Sequence, residues 1–133
     1  MSYFLSPTNN GQAGSGVSGL EAPLSVYFTN TTGTLTLPAV VGQFHFIRSI
    51  TIVQYATAAF TAAGTPVLVT TTNLPGNPSI PMNTSGIALG DIRTFQLNPG
   101  DLKSSVVGTA TTFVFSAIAG CTYYAIVTYF AGT

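Results

Sequence analysis

Apolar and threonine-rich runs alternate with clusters of Gly, Pro, Asn and Asp along most of the chain. The runs are LSVYFT (24–29), TLTLPAV (34–40), QFHFIRSITIVQY (43–55), PVLVTTT (66–72), IRTFQL (92–97), TTFVFSAI (111–118) and TYYAIVTYF (122–130). Each has the length and the β-branched and aromatic content of a strand, and none carries the 3.6-residue period of a long amphipathic helix. The intervening TNTTG, AAGT, NLPGNP and NPGD are turn formers: proline fixes φ, glycine reaches positive φ, and Asn or Asp bonds the local backbone. Seven runs, with an eighth near Ser79–Met82 or Ser104–Val107, predict an all-β sandwich or jelly roll over residues 23–133.

At strand period, Phe44, Phe46, Arg48, Ile50 and Ile52 share one face of the third run, while His45, Ile47, Ser49, Thr51, Val53 and Tyr55 share the other. Arg48 then lies on the more apolar side. TTFVFSAI and YYAIVTYF place aromatic or aliphatic residues on both faces, which in a two-layer sandwich leaves one apolar face without a neighbour.

Residues 1–22, MSYFLSPTNNGQAGSGVSGLEA, break this texture. Tyr3, Phe4 and Leu5 form a short apolar hook, followed by a Gly/Ser tract too polar to order itself, so the segment is expected to be a flexible N-terminal arm. As a coil, the tract from Ser6 to Ala22 spans about 23 Å. The hook is expected to anchor the protein to a partner or a neighbouring subunit.

Charge narrows the choice of partners. A folded chain of this mass exposes about 6,600 Å². It carries three basic and three acidic residues, 5% charged in all, with net charge zero. Such a surface is either wetted by hydroxyls and amides or covered by other chains. Three basic residues make no phosphate-binding stripe, so nucleic acid is not expected as a partner. The opening segment lacks a basic start and a long apolar core, and no run reaches the ~20 residues of a membrane span, so neither export nor a membrane is expected. Cys121 stands alone, which excludes an intrachain disulfide and fits a reducing compartment.

The chemistry-bearing residues are few. GSGVSG (14–19) spells a dinucleotide fingerprint, but no strand precedes it and Pro23 follows where a helix would open, so it reads as linker. A hydrolase would need His45 as base, Asp91 or Asp101 as orienting acid, and a serine or Cys121 as nucleophile, without any strained nucleophile turn. Zinc lacks ligands, and calcium would have only Asp91, Asp101 and carbonyls. No catalytic residue, cofactor or metal is therefore expected. His45 reads as a packed or interfacial histidine. Arg48 reads as the partner of Asp91 or Asp101, or as an edge residue whose stem covers apolar surface.

TPVLVTTTNLPGNPSI and the closing TTFVFSAIAGCTYYAIVTYFAG, together with HFIRSITIVQYATAAFTAAG, resemble small virion proteins of tailed bacteriophages, in particular the jelly-roll decoration or cement proteins. The resemblance covers roughly residues 24–133. It implies an all-β fold, a single jelly-roll β-sandwich, and a homotrimer bound to the major capsid protein on the outer surface of the virion head after assembly in the host cytoplasm. It implies no enzyme activity. Tyr3, Phe4, Leu5, His45 and Arg48 are the residues expected at capsid or subunit contacts. The rival expectation is a receptor-binding, head-fibre or tail-tip module of the same fold, using Tyr123 and Tyr124 or the 73–83 loop.

Overall fold

The computed structural model describes residues 23–59, 67–82 and 86–133, and these form an all-β, sandwich-like pair of antiparallel sheets with no helix among the described residues. The strands are β1 (Leu24–Asn30), β2 (Gly33–Leu37), β3 (Phe44–Ala56), β4 (Val67–Thr72), β5 (Ser79–Met82), β6 (Ile92–Leu97), β7 (Leu102–Lys103), β8 (Thr111–Phe115) and β9 (Cys121–Gly132). All seven sequence runs become strands. The eighth is Ser79–Met82; residues 104–107 are not a strand, and the two-residue β7 beside them was not foreseen. The expected arm, with Tyr3, Phe4 and Leu5, lies outside the described residues.

One sheet runs β1-β9-β3-β6, with β7 also pairing β3, and the other runs β2-β8-β4-β5. The two longest strands, β3 and β9, pair down the middle of the first sheet. Leu35, Leu37, Ile47, Ile52, Val69, Phe113, Phe115 and Val127 meet between the layers and are almost fully buried. Phe115 is the hub. Its ring stacks on Phe28 at 4.6 Å between centroids and tilts against Tyr123 at 5.1 Å. The Tyr123 hydroxyl donates to the Ser116 carbonyl at 2.9 Å, so the phenol is buried without an orphaned polar end.

Strand ends follow local chemistry. Pro38 ends β2 by removing a donor. The turn before β9 closes through Gly120, whose φ of +80° suits glycine and whose missing Cβ would come within 3.1 Å of the Ala58 carbonyl oxygen. At the end of β4, Asn73 takes a φ of 60°. Its side chain donates to the Thr109 carbonyl at 3.0 Å and accepts from the Val106 N–H at 2.8 Å, which pins the loop leading to β8.

The simple alternation expected along β3 is wrong in one respect. Ile47 pairs with Tyr129 and Ser49 with Thr128, so Arg48 is the extra residue of a β-bulge. The bulge shifts the parity of the strand. His45 and Ile47 face the core before it, while Ile50, Ile52, Gln54 and Ala56 face the core after it. Phe44 and Phe46, expected on the side of Ile50, stand on the opposite face.

Candidate interaction surface

His45 is interior. It is 2% exposed, and both ring nitrogens are engaged: Nε2 lies 2.9 Å from the Pro38 carbonyl and Nδ1 lies 2.7 Å from the Thr111 hydroxyl. A carbonyl only accepts, so Nε2 carries the proton. In the neutral ring Nδ1 then accepts from Thr111, whose oxygen in turn accepts from Asn73 Nδ2 at 3.2 Å. The His45 backbone adds two bonds to Ser104, N–H to Oγ at 2.9 Å and carbonyl from N–H at 2.7 Å. The residue clamps β3 to β2, to β8 and to the loop after β7. Burial removes it from the surface residues expected at a capsid or subunit contact. Among the described residues no carboxylate holds its ring, since Asp101 faces Arg48 and Asp91 accepts the Ala88 N–H within its own turn.

Arg48 is at the surface, and the bulge puts it there. On the open side of β3 the chain leaves β6 at Leu97, which faces Ile50, and rejoins at β7, where Leu102 faces Ile47. The turn between them hangs opposite the bulge. Asp101, at φ 61°, meets Arg48 through two bonds of 3.2 and 3.4 Å. The guanidinium also lies 4.5 Å from the centre of the Phe130 ring, and Lys103 Nζ lies 4.1 Å from that of Phe44. Of the two carboxylates expected, Asp101 is the partner. Both side chains of the pair are about half exposed (50% and 48%), so it contributes about 0–1 kcal/mol. Beside it a cleft of about 280 Å³ is lined by Phe46, Phe130 and Gly132 among others.

The outer faces of the two sheets differ in chemistry. On the four-stranded sheet, Thr34, Thr36, Thr70, Thr72, Thr112 and Ser79 alternate with the buried positions. Register aligns Thr36, Thr112 and Thr72 across it, with a 2.7 Å hydroxyl contact between the last two. On the five-stranded sheet the register gives the rows Tyr27–Ile126–Thr51–Gln96, Thr29–Tyr124–Val53–Thr94 and Thr122–Tyr55–Ile92. Tyr27 is 77% exposed, Ile92 60%, Tyr124 46% and Tyr55 37%. A hollow of about 250 Å³ opens beside Tyr27 and Tyr124 over Thr51, Val53 and Ile126.

The sequence run LSVYFT held the signal for Tyr27, an aromatic in register with Ser25 and Thr29 while Val26 and Phe28 turn inward, and Tyr27 was not among the residues expected at a contact. Of the two tyrosines named for a receptor-binding tip, Tyr124 is on this face and Tyr123 is buried in the core. Tyr3, Phe4 and Leu5 lie outside the described residues. Among the described residues no cluster of three or more His, Cys, Asp or Glu side chains could hold a metal ion.

The buried ionisable groups give a pH dependence. Burial pushes the Cys121 thiol up from 9.0 to about 11, against smaller lowering contributions from the Gln54 side chain and the Tyr55 backbone. Burial, and secondarily the charge of a Cys121 thiolate, raises Tyr123; burial raises Tyr129. Each proton is held more tightly in the folded chain. The stability these groups give is therefore complete below pH 9 and is lost as pH rises through 9 to 11 and beyond. Urea midpoints should be equal at pH 7 and 8.5 and clearly lower at pH 10.5, with Cys121→Ala removing the part that begins at pH 9. A midpoint flat to pH 11 would contradict this assignment.

No family model and no curated protein matches the chain.

Proposed function

We propose that the chain is a jelly-roll decoration protein of a tailed bacteriophage, bound as a homotrimer to the major capsid protein on the outside of the head and stabilising the shell without catalysis. The observation that carries this reading is the nesting of antiparallel pairs. β1 pairs with β9, β2 with β8, β3 with β6 and β4 with β5, as in one long hairpin rolled up, and rolling brings β9 against β3 and β8 against β4. With β7 as an addition between β6 and β8, this nesting supports reading the fold as the eight-strand winding of a jelly roll, an architecture recurrent in viral shells and lectins. The low charge and the tyrosine-bearing face suit a protein that functions covered by others. Stabilisation would come from mass action, since a ligand of the assembled shell that ignores its separated parts favours the shell.

A receptor-binding tip of the same fold is the second reading, favoured by the hollow beside Tyr124. Purified heads from the particle whose genome encodes the chain decide between them. With added full-length protein, electron microscopy should show density at many lattice points, and the heads should disrupt at a higher temperature. The chain lacking residues 1–20 should keep its β circular dichroism and lose head binding. Density confined to one vertex or to the tail would favour the tip, and absence of binding would overturn decoration; full binding by the truncated chain would remove the arm from the mechanism.

A further inference from the structure

Beyond the bulge, the outer face of the five-stranded sheet holds fourteen residues in four rows, the three given above and Ser25–Thr128–Ser49, and none of them is charged; the charges of this face, Arg48 and Lys103, lie at its other end with Phe44, Phe46 and Phe130. Half of its eight exposed members are Tyr27, Tyr55, Tyr124 and Ile92, and half are Ser25, Thr29, Thr94 and Gln96, whereas the other sheet presents mainly threonine, with Leu68 as its exposed large hydrophobic. The chain thus has one sheet face that bears exposed aromatics and one that does not. Among the described residues the aromatic-bearing face runs to an unpaired edge. Of the four edge strands, β5 carries Pro81 and β6 carries Arg93, devices that discourage strand pairing, and β2 is five residues long and stops before Pro38. β1 is seven residues long, with no charge and no proline.

We infer that this face, from the β1 edge across Tyr27 and Tyr124 to Ile92, is the surface through which a second copy of this chain binds. Three observations select that occupant. The patch carries both halves of a contact side by side, with Tyr27 as a knob 77% exposed and next to it the hollow of about 250 Å³ over Val53 and Ile126. Its lack of charge means that two copies meet without repulsion, whereas a charged partner would find nothing to pair with. Its extent fits: at roughly 40 Å² per interface residue, fourteen residues supply about 550 Å² of the ~800 Å² each partner gives to a stable interface, and the β1 edge adjoins the patch to supply more. Reciprocal entry of each copy's knob into the other's hollow makes a two-fold contact, and one-way entry makes a head-to-tail contact that forms a ring where the rotation closes. The inference rests on the assembly reading above and names the surface that reading needs.

Sedimentation of the full-length chain between 1 and 100 µM, with Tyr27→Arg, Tyr124→Ser and Thr70→Arg alongside, tests it. All four should share one circular dichroism spectrum, because the changed side chains are outside the core. The wild type and Thr70→Arg should sediment as an oligomer, and each tyrosine variant should associate at least about 30-fold more weakly, the loss typical of a central aromatic contact. A wild type monomeric throughout, tyrosine variants as associated as the wild type, or dissociation by Thr70→Arg to the same degree would overturn the inference. So would dissociation on deleting residues 1–20 with the tyrosine variants unaffected, which would make the arm the occupant. Head binding is read separately. Tyrosine variants that stay oligomeric while the wild type decorates heads sink only this surface, whereas dissociation as expected with no head binding sinks only decoration.

Discussion

Replacing His45 by Leu should cost about 3 kcal/mol of folding stability without changing the fold. Leucine nearly fills the space, so the loss is mainly polar. The Pro38 carbonyl loses the Nε2–H donor and the Thr111 hydroxyl loses its acceptor, at positions where His45 is 2% and Thr111 0% exposed. A buried group deprived of its partner costs about 1–3 kcal/mol, and two are orphaned here. Thr111→Val alone should cost about 1–2 kcal/mol, because it leaves Nδ1 and the Asn73 amide each short of one contact. The double variant should lose less than the sum, since the His45–Thr111 bond can be removed only once. Equilibrium urea denaturation at pH 7 reads all three. A His45→Leu chain within 0.5 kcal/mol of the wild type would show that the clamp is dispensable.

Phe115→Ala should be more damaging, about 3–5 kcal/mol, the range for deleting a buried aromatic from a packed core. The ring is 1% exposed and lies between the two sheets, against Phe28 from one edge strand and Tyr123 from the central strand. Removing it opens a cavity that neighbours on two rigid sheets cannot collapse to fill. With total stabilities of about 5–15 kcal/mol for domains in general, this variant is expected to be partly unfolded at 37 °C. A thermal midpoint within a few degrees of the wild type would refute the role of Phe115 as the hub.

Strand content was legible because the runs are bounded by residues whose conformational limits are local. Pro38 stops β2 from its own ring, and Asn73 and Gly120 accept positive φ from their own side chains or the lack of one. Facing direction was legible only where no residue is inserted. A bulge has no compositional mark, and Arg48 became an apparent anomaly on an apolar face because the period was carried straight through it. Its partner was narrowed to Asp91 or Asp101, and the choice depended on β6 and β7 lying end to end along β3, a long-range arrangement that spacing does not encode. Of the two readings of His45, packed or interfacial, its burial favours the packed one, whereas the Pro38 carbonyl beneath it follows from how the sheets are stacked. The expectation of a spare apolar face from TTFVFSAI and YYAIVTYF meets a mixed outcome, since β8 turns Thr112 and Val114 to the threonine-rich face and β9 turns Tyr124 and Ile126 outward among hydroxyls. Tyr27 was overlooked, since one of two adjacent aromatics in a short edge strand looks like core until its register is known.

The nested winding also sets the order in which the polypeptide can fold. β9 follows the other described strands in sequence and occupies an inner lane of its sheet, between β1 and β3, with Leu24 paired to Tyr129 across nearly the whole described chain. A nascent chain that has emerged only as far as Ala119 has β1 and β3 ready and an empty lane between them. Ribosomes add about 5–20 residues per second, so both strands wait for seconds with unpaired backbone on either side of that lane. Such late closure of distant contacts is intrinsically slow, and the open lane is a template for any other extended segment, including the same lane of a neighbouring nascent chain. Synthesis on crowded polysomes would therefore favour exchange of β9 between chains.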